Sequence, residues 1–295
     1  MTNTEFKKLT LDLVRAAIAE DVGPGDITSL GCLEPEMLKA GIFAKSEGIL
    51  SGLIPAQLAF ELVDSANVFR PQIKDGGRFR PGDMIAEIEG LNQTVLAAER
   101  TALNFMAHLS GVATLTGKFV EKISGTSCRI LDTRKTSPGW RYLEKAAVVH
   151  GGGENHRIGL FDMVLIKDNH IAAAGSISGA VEKMRDYLGS TDFRLQFNRR
   201  AESILIEVEV TCASELEEAL AAGVDRILLD NQTPESLRKL VEKARSINAA
   251  VKLEASGNVN LDTVAAIAAG GVDYISVGAL THSAPVSDFS MRVIA

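Results

Sequence analysis

Seven lysines and arginines (Arg129, Arg134, Lys135, Arg141, Lys145, Arg157 and Lys167) and three of the five histidines (His150, His156 and His170) fall within one short stretch of a 295-residue chain. Its 31 basic residues are outnumbered by 38 acidic ones, so a cationic stretch of this density points to an anionic ligand. Arginine suits carboxylate and phosphate because its planar fork donates two parallel hydrogen bonds, and lysine adds a point charge. Arg134, Lys135 and Lys167 each close an apolar run, where an unpaired charge would be expensive, and they carry the expectation of function. His156 and Arg157 end the loop Gly151-Gly-Gly-Glu-Asn-His-Arg157 and are equally open to contact with an anion or to a plain surface role. Arg129, Arg141 and Lys145 read as solvated surface charges.

Glu207 and Glu209 alternate with Ile206 and Val208, so both carboxylates face one side of a strand, and Asp230 ends the next one. Carboxylates on adjacent strands suit Mg²⁺, a hard cation often held by one or two of them together with substrate phosphates. Glu209 and Asp230 are expected to bind metal and sugar and Glu207 to be structural, the alternative being salt bridges to lysines across the site. Zinc is not expected, because no cysteine accompanies the histidines and they lack the i, i+4 spacing of a helical pair. Ser256-Gly257 and Ser276-Val-Gly278 are late-strand loops suited to phosphate, each also readable as an ordinary turn. Arg100, Asn104 and His108 form a polar stripe on an apolar helix, for which solvent exposure is the default.

The elements that must position these groups alternate. Six apolar runs end in polar residues: 129–135, 163–170, 204–210, 226–231, 251–256 and 274–278. That rhythm implies parallel strands joined by helices, the later helices being closed by Gly223 and Gly270 as left-handed caps. With no Gly-x-Gly-x-x-Gly turn in the first unit, a ring of six strands is preferred over an open doubly wound sheet. In such a ring the strands' C-terminal ends carry the chemistry, and Arg134, Lys135, Lys167, Glu209, Asp230 and Ser256 all stand there. The first hundred residues read as a mixed sheet packed by helices, with strands at 40–44, 68–73 and 83–88. From Thr94 to about Ile123 the spacing marks one long helix, or two broken near Gly111.

A net charge of −7 and a pI near 5.4 argue against nonspecific binding to nucleic acid or anionic membrane. No apolar run has the length of a membrane-spanning helix or follows Lys7 and Lys8 as a secretory signal would require. The three cysteines fit neither a zinc motif nor a disulfide framework, so a reducing cytoplasm is expected.

Taken together, Glu20-Asp-Val-Gly-Pro-Gly-Asp-Ile-Thr28, Glu99-Arg-Thr-Ala-Leu-Asn104, Leu109-Ser-Gly-Val-Ala-Thr114, Asp132-Thr-Arg-Lys-Thr136, Gly151-Gly-Gly-Glu-Asn-His-Arg157, Leu165-Ile-Lys-Asp-Asn-His170, Glu207-Val-Glu-Val210, Leu253-Glu-Ala-Ser-Gly257 and Ser276-Val-Gly-Ala-Leu-Thr-His-Ser283 resemble, in order, the quinolinate phosphoribosyltransferases, also called carboxylating nicotinate-nucleotide diphosphorylases. The resemblance covers nearly the whole chain. It implies an α/β protein with an N-terminal α/β sandwich domain, residues 1–112 joined by 280–295, and an open six-stranded α/β barrel resembling an incomplete TIM barrel over 113–279. The activity implied is transfer of phosphoribose from 5-phosphoribosyl-1-diphosphate to quinolinate with decarboxylation, in de novo NAD biosynthesis.

By motif match, Thr133, Arg134, His156, Arg157 and Lys167 surround the quinolinate carboxylates, with Lys135 at the same site. Glu209 and Asp230 form the ribose and Mg²⁺ side, and Ser256, Gly257, Gly278 and His282 the phosphate end. Lys135, Lys167, Glu209 and Asp230 are the expected catalytic groups. Arg100 enters from the other subunit of a homodimer, which overrides the bland reading of its stripe and leaves room for a hexamer of dimers. Three features depart from the family pattern: Asn258 stands in place of a glycine, Trp140 in place of a smaller apolar residue, and 189–203 is longer and more basic. Two other readings remain: a Schiff-base lyase using Lys167, Lys135 or Lys252, and a non-catalytic or differently specific paralogue associated with molybdate transport.

Overall fold

A computed structural model describes residues 3–294, so the outermost ends of the expected 1–112 and 280–295 segments lie outside the described residues. Its strands are β1 (Met37–Ala44), β2 (Gly48–Ile49), β3 (Val68–Pro71), β4 (Arg78–Phe79), β5 (Met84–Leu91), β6 (Arg129–Leu131), β7 (Val164–Ile166), β8 (Ile206–Val210), β9 (Arg226–Asp230), β10 (Lys252–Ser256), β11 (Tyr274–Ser276) and β12 (Phe289–Val293). Two compact units divide the chain: Met1–Lys118, Lys135–Gly153 and Ala279–Ala295 in the first, Phe119–Arg134 and Glu154–Gly278 in the second. This division differs from a single boundary after residue 112. The helix Asn92–Lys122 carries the first unit on to Lys118, and Lys135–Gly153 fold with it because Trp140 stacks on Phe105, ring centroids 4.6 Å apart.

In the first unit the main sheet runs β12-β1-β5-β3, and all three pairings are antiparallel rather than mixed. Alternation puts Ala40, Ile42 and Ala44 of β1 and Ala86 and Ile88 of β5 into the core, and Ile85 is buried on the opposite face of β5. The chain's late strand β12 adds to the free edge of β1. The long helix is unbroken at Gly111, where the glycine serves close approach: a Cβ there would meet the Pro285 carbonyl oxygen at 2.2 Å.

The second unit is a six-stranded parallel sheet in the order β6-β11-β10-β9-β8-β7. Strand order follows chain order around a ring, with β6 beside β11, so the barrel is open between its first two strands. Its wall is aliphatic: Ile130, Ile166, Val208, Ile227, Leu229, Leu253 and Ile275 are buried. Gly223 is left-handed at φ 66° as expected, whereas the second cap falls to Gly271 at φ 88°, because Ala268 is the last helical residue and Gly270 still continues the turn. The basic 189–203 stretch forms the short helix Thr191–Phe197, with Phe193 buried against Tyr187 and Phe197. No helix among the described residues is long and apolar enough to cross a membrane.

Candidate active site

Each strand of the barrel delivers a polar group as it leaves the apolar wall. Lys167 follows β7 as the cap of the helix Asp168–Ala174, and its ammonium pairs closely with the Glu209 carboxylate on the neighbouring strand β8. That ion pair is the alternative considered for Glu209. Asp230, the last residue of β9, accepts at Oδ1 from Ser256 Oγ of β10 (2.6 Å) and at Oδ2 from Asn231 Nδ2 (2.6 Å). These residues meet because Asp230 and Ser256 are register partners.

The loop after β10 has a backbone that dictates its sequence. Gly257 is left-handed at φ 89°, and a Cβ on it would lie 2.1 Å from Asn231 Oδ1, so the position excludes any side chain. Asn258 adopts φ 52°, a conformation asparagine tolerates, so its departure from the family's glycine preserves a left-handed turn. Gly278 lies just past β11, and the N–H of Val277 before it donates to the Leu131 carbonyl (2.9 Å).

The cationic side of the unit is built by Arg134, exposed past β6, and Arg157, half-buried. Burial and then the nearby Arg134 guanidinium lower the Arg157 pKa, opposed by Glu207 and Asp162. Two mutually repelling guanidinium groups gain most from an anion placed between them. Arg157 Nη1 also donates to the Met163 carbonyl (3.3 Å). Thr133 lies between buried Asp132 and Arg134.

His156 differs from the expectation. It is 8% exposed, its Nδ1 accepts the Arg157 N–H (2.7 Å), and its Nε2 lies 3.0 Å from Glu207 Oε2. Both ring nitrogens therefore serve the protein, so the ring holds its neighbours in place. Glu207 has the structural environment expected of it. Glu254, quoted within a motif but assigned no role, completes the buried group: His156 Nε2 is 3.5 Å from its Oε2, which also accepts from Arg226 Nη1 (3.1 Å). The Arg226 guanidinium in turn lies 4.3 Å from the centre of the Tyr274 ring. Burial pushes both glutamates well above the ordinary carboxylate range, and for Glu254 the charge of Glu207 adds to it. The signal was present in the alternation of β10, where Lys252, Glu254 and Ser256 share one face.

Arg100, Lys135 and His282 belong to the first unit. Arg100 and Asn104 are exposed, but His108 of the same stripe is not a solvent group: its Nε2 is 2.8 Å from Glu144 Oε1, and Glu144 Oε2 accepts the Ser137 N–H (3.1 Å). Glu144 thus ties the segment carrying Lys135 to the long helix. The Lys135 carbonyl accepts from Thr281 Oγ1 (2.7 Å), and His282 Nδ1 contacts Ser283 Oγ (2.7 Å). Arg129 is exposed and paired with Glu154 (2.6 Å). Lys145, read as a surface charge, is 1% exposed, because its helix packs that face inward beside Leu143, Ala147 and Val148.

Two family models match the chain: "Quinolinate phosphoribosyl transferase, N-terminal domain" over residues 26–110 and "Quinolinate phosphoribosyl transferase, C-terminal domain" over residues 112–292. A probable nicotinate-nucleotide pyrophosphorylase [carboxylating] of Bacillus subtilis is 41% identical over 99% of this chain and 95% of that protein. The quinolinate phosphoribosyltransferase [decarboxylating] 1b of Nicotiana tabacum is 39% identical over 95% of this chain and 81% of its own length. The structure of the nicotinate-nucleotide pyrophosphorylase from Francisella tularensis superposes with a TM-score of 0.88 at 40% identity, covering 98% of this chain and 97% of that one.

Proposed function

The chain belongs to the quinolinate phosphoribosyltransferase family, and from that membership we propose how its own residues perform the reaction, in which quinolinate and 5-phosphoribosyl-1-diphosphate give nicotinate mononucleotide, diphosphate and CO₂. The observation that carries the assignment of the acceptor side is the placement of Arg157 near Arg134, whose charge lowers the Arg157 pKa. A ring with two adjacent carboxylates relieves both. Lys167 exchanges its pairing with Glu209 for a substrate carboxylate, which frees Glu209 to face the ribose.

The pyridine nitrogen attacks the anomeric carbon as the bond to diphosphate breaks, and positive charge growing on the ribose is met by Glu209 and Asp230. Asp230 is held for this task by Ser256 and Asn231. The C2–carboxylate bond then breaks, CO₂ leaves, and the electron pair stays at C2, where the cationic ring stabilises it until a proton is taken up. The protein's part is to hold the carboxylate and exclude water. The phosphate end of the barrel is Ser256, Gly257 and Gly278.

Among the described residues His156, Glu207 and Glu254 are the one cluster of three or more candidate ligands, and neither Glu209 nor Asp230 belongs to it. A pair fits a divalent ion that arrives on the diphosphate, and does not suffice for a dedicated cage. Mg²⁺ held by Glu209 and Asp230 would neutralise the leaving diphosphate. We place Arg100 in the neighbouring site of a homodimer, and the enzyme in the cytoplasm. Imine chemistry by Lys167 is disfavoured, since that amine is a partly exposed ammonium paired with Glu209.

Release of diphosphate and CO₂ from quinolinate, run beside nicotinate, tests the reading. Turnover of quinolinate supports it, and binding without turnover would favour a non-catalytic paralogue.

A further inference from the structure

Residues 154–157 occupy the opening of the barrel. Leu131 and Glu154 form a parallel bridge, the Glu154 N–H donates to the Ile130 carbonyl (2.8 Å) and the Asp132 N–H to the Glu154 carbonyl (3.2 Å). The segment is thus a single rung laid against the free edge of β6. Its other side reaches toward β7, where Arg157 Nη1 donates to the Met163 carbonyl, one residue before that strand begins. The His156 N–H is fixed separately by Asp132 Oδ1 (2.9 Å).

From this rung the His156 ring turns into the barrel interior. Because Nδ1 accepts the Arg157 N–H, the ring proton resides on Nε2 and is directed at Glu207 Oε2 at 3.0 Å. Glu254 is farther, at 3.5 Å, and its near oxygen is occupied by Arg226. A metal ion is not what this cluster is built for: Arg226 already supplies a positive charge to it, and the nitrogen that would ligate carries the proton. What the geometry does supply is a chain of fixed contacts from β8 to the arginine. Glu207 sets the tautomer and tilt of His156, and His156 sets the Arg157 backbone through Nδ1.

We propose that Glu207 is a positioning residue for the acceptor substrate: it acts through His156 to aim Arg157 at a substrate carboxylate. The inference rests on the reading of Arg157 as a carboxylate ligand. It makes the imidazole a strut across the barrel's open seam, with the substrate touching the arginine beyond it.

The decisive variant is Glu207→Met, which keeps the length of the side chain, removes the acceptor and leaves Arg226 balanced by Glu254. Burial already disfavours the Glu207 charge, and Arg226 keeps Glu254 as its partner, so removing the carboxylate offsets the lost His156 contact and the melting temperature is expected to hold. The KM for quinolinate should rise about tenfold or more, in line with the loss of one buried hydrogen-bond partner, while the KM for 5-phosphoribosyl-1-diphosphate stays within about twofold. Glu207→Gln retains an acceptor oxygen and should recover most of the loss. Nitrogen-15 spectra of the histidines should show His156 protonated on Nε2 in the parent and in Glu207→Gln, with this preference lost in Glu207→Met.

Arg157→Lys separates the two claims. If it raises the quinolinate KM while Glu207→Met leaves it unchanged, the ligand reading stands and the positioning role is wrong. If Arg157→Lys leaves that KM unchanged, the ligand reading fails and takes the inference with it. Parallel weakening of both substrates in Glu207→Met, tracking a lowered melting temperature, would also overturn the proposal, as would a Glu207→Gln variant as impaired as Glu207→Met.

Discussion

Ser256 Oγ donates to Asp230 Oδ1 at 2.6 Å across two strands that are in register at that residue, so the carboxylate's direction is set by the sheet itself. Asn231 holds the second oxygen. Asp230→Ala should therefore raise the KM for 5-phosphoribosyl-1-diphosphate by about ten- to a hundredfold and blunt the Mg²⁺ dependence, with quinolinate binding within about threefold of the parent. Steady-state kinetics at several Mg²⁺ concentrations and calorimetry with quinolinate alone provide the check. Equal weakening of both ligands in a folded variant would make Asp230 structural.

Substrate choice follows from charge. If Arg134, Arg157 and Lys167 form the acceptor side as proposed, nicotinate would leave one cation without its carboxylate, and its kcat/KM should fall at least about a hundredfold below that of quinolinate. Comparable turnover of the two acids would remove the basis of the assignment.

Arg100 is exposed on the long helix, and Lys135 belongs to the same unit of the chain. If Arg100 completes the neighbouring site of a dimer, Arg100→Ala and Lys135→Ala should each be nearly inactive. Refolding them together then yields mixed dimers with one doubly defective and one intact site. Random assembly makes about half the dimers mixed and roughly a quarter of all sites intact. Mixed dimers that form and stay inactive would show that Arg100 acts within its own subunit.

The buried pair Glu207 and Glu254 predicts a pH dependence of stability. Their folded pKa values are raised by burial, so the folded state retains protons that the unfolded chain has released. The stabilisation this confers is fully present below the ordinary carboxylate range and is lost as the pH rises through the raised folded values. Melting temperatures measured from acid to neutral pH should decline over that window in the parent, and less steeply in Glu207→Met. An identical slope in both would show that Glu207 is ionised throughout.

How much of this was legible in the sequence depended on whether a feature is local. The six strands were, because a parallel strand buried on both faces is a continuous apolar run and its end is marked by a polar residue. The placing of Arg134, Lys167, Glu209 and Asp230 at or just past the strand ends was legible for the same reason. The rung at residues 154–157 was not, since a glycine-rich loop has no periodicity to announce that it will lie against β6. Nor was the meeting of His156 with Glu207 and Glu254, which depends on the ring's closure order. The burial of Lys145 and the pairing of His108 with Glu144 both required knowing which face of a helix packs inward.

The pairing of β12 with β1, in which Ala40 meets Val293, has a consequence for how the protein is made. Until synthesis has passed residue 293, β1 stands as an unpaired edge with an apolar face, while every strand of the parallel ring has already been produced. The barrel is free to fold first, and the N-terminal sheet, though begun earlier, must finish last. Contacts this distant in sequence are slow to form, and an exposed edge is the surface on which nascent chains stick to one another. Truncation ahead of Phe289 should therefore be felt in the yield of soluble protein even though no residue proposed for the reaction is removed.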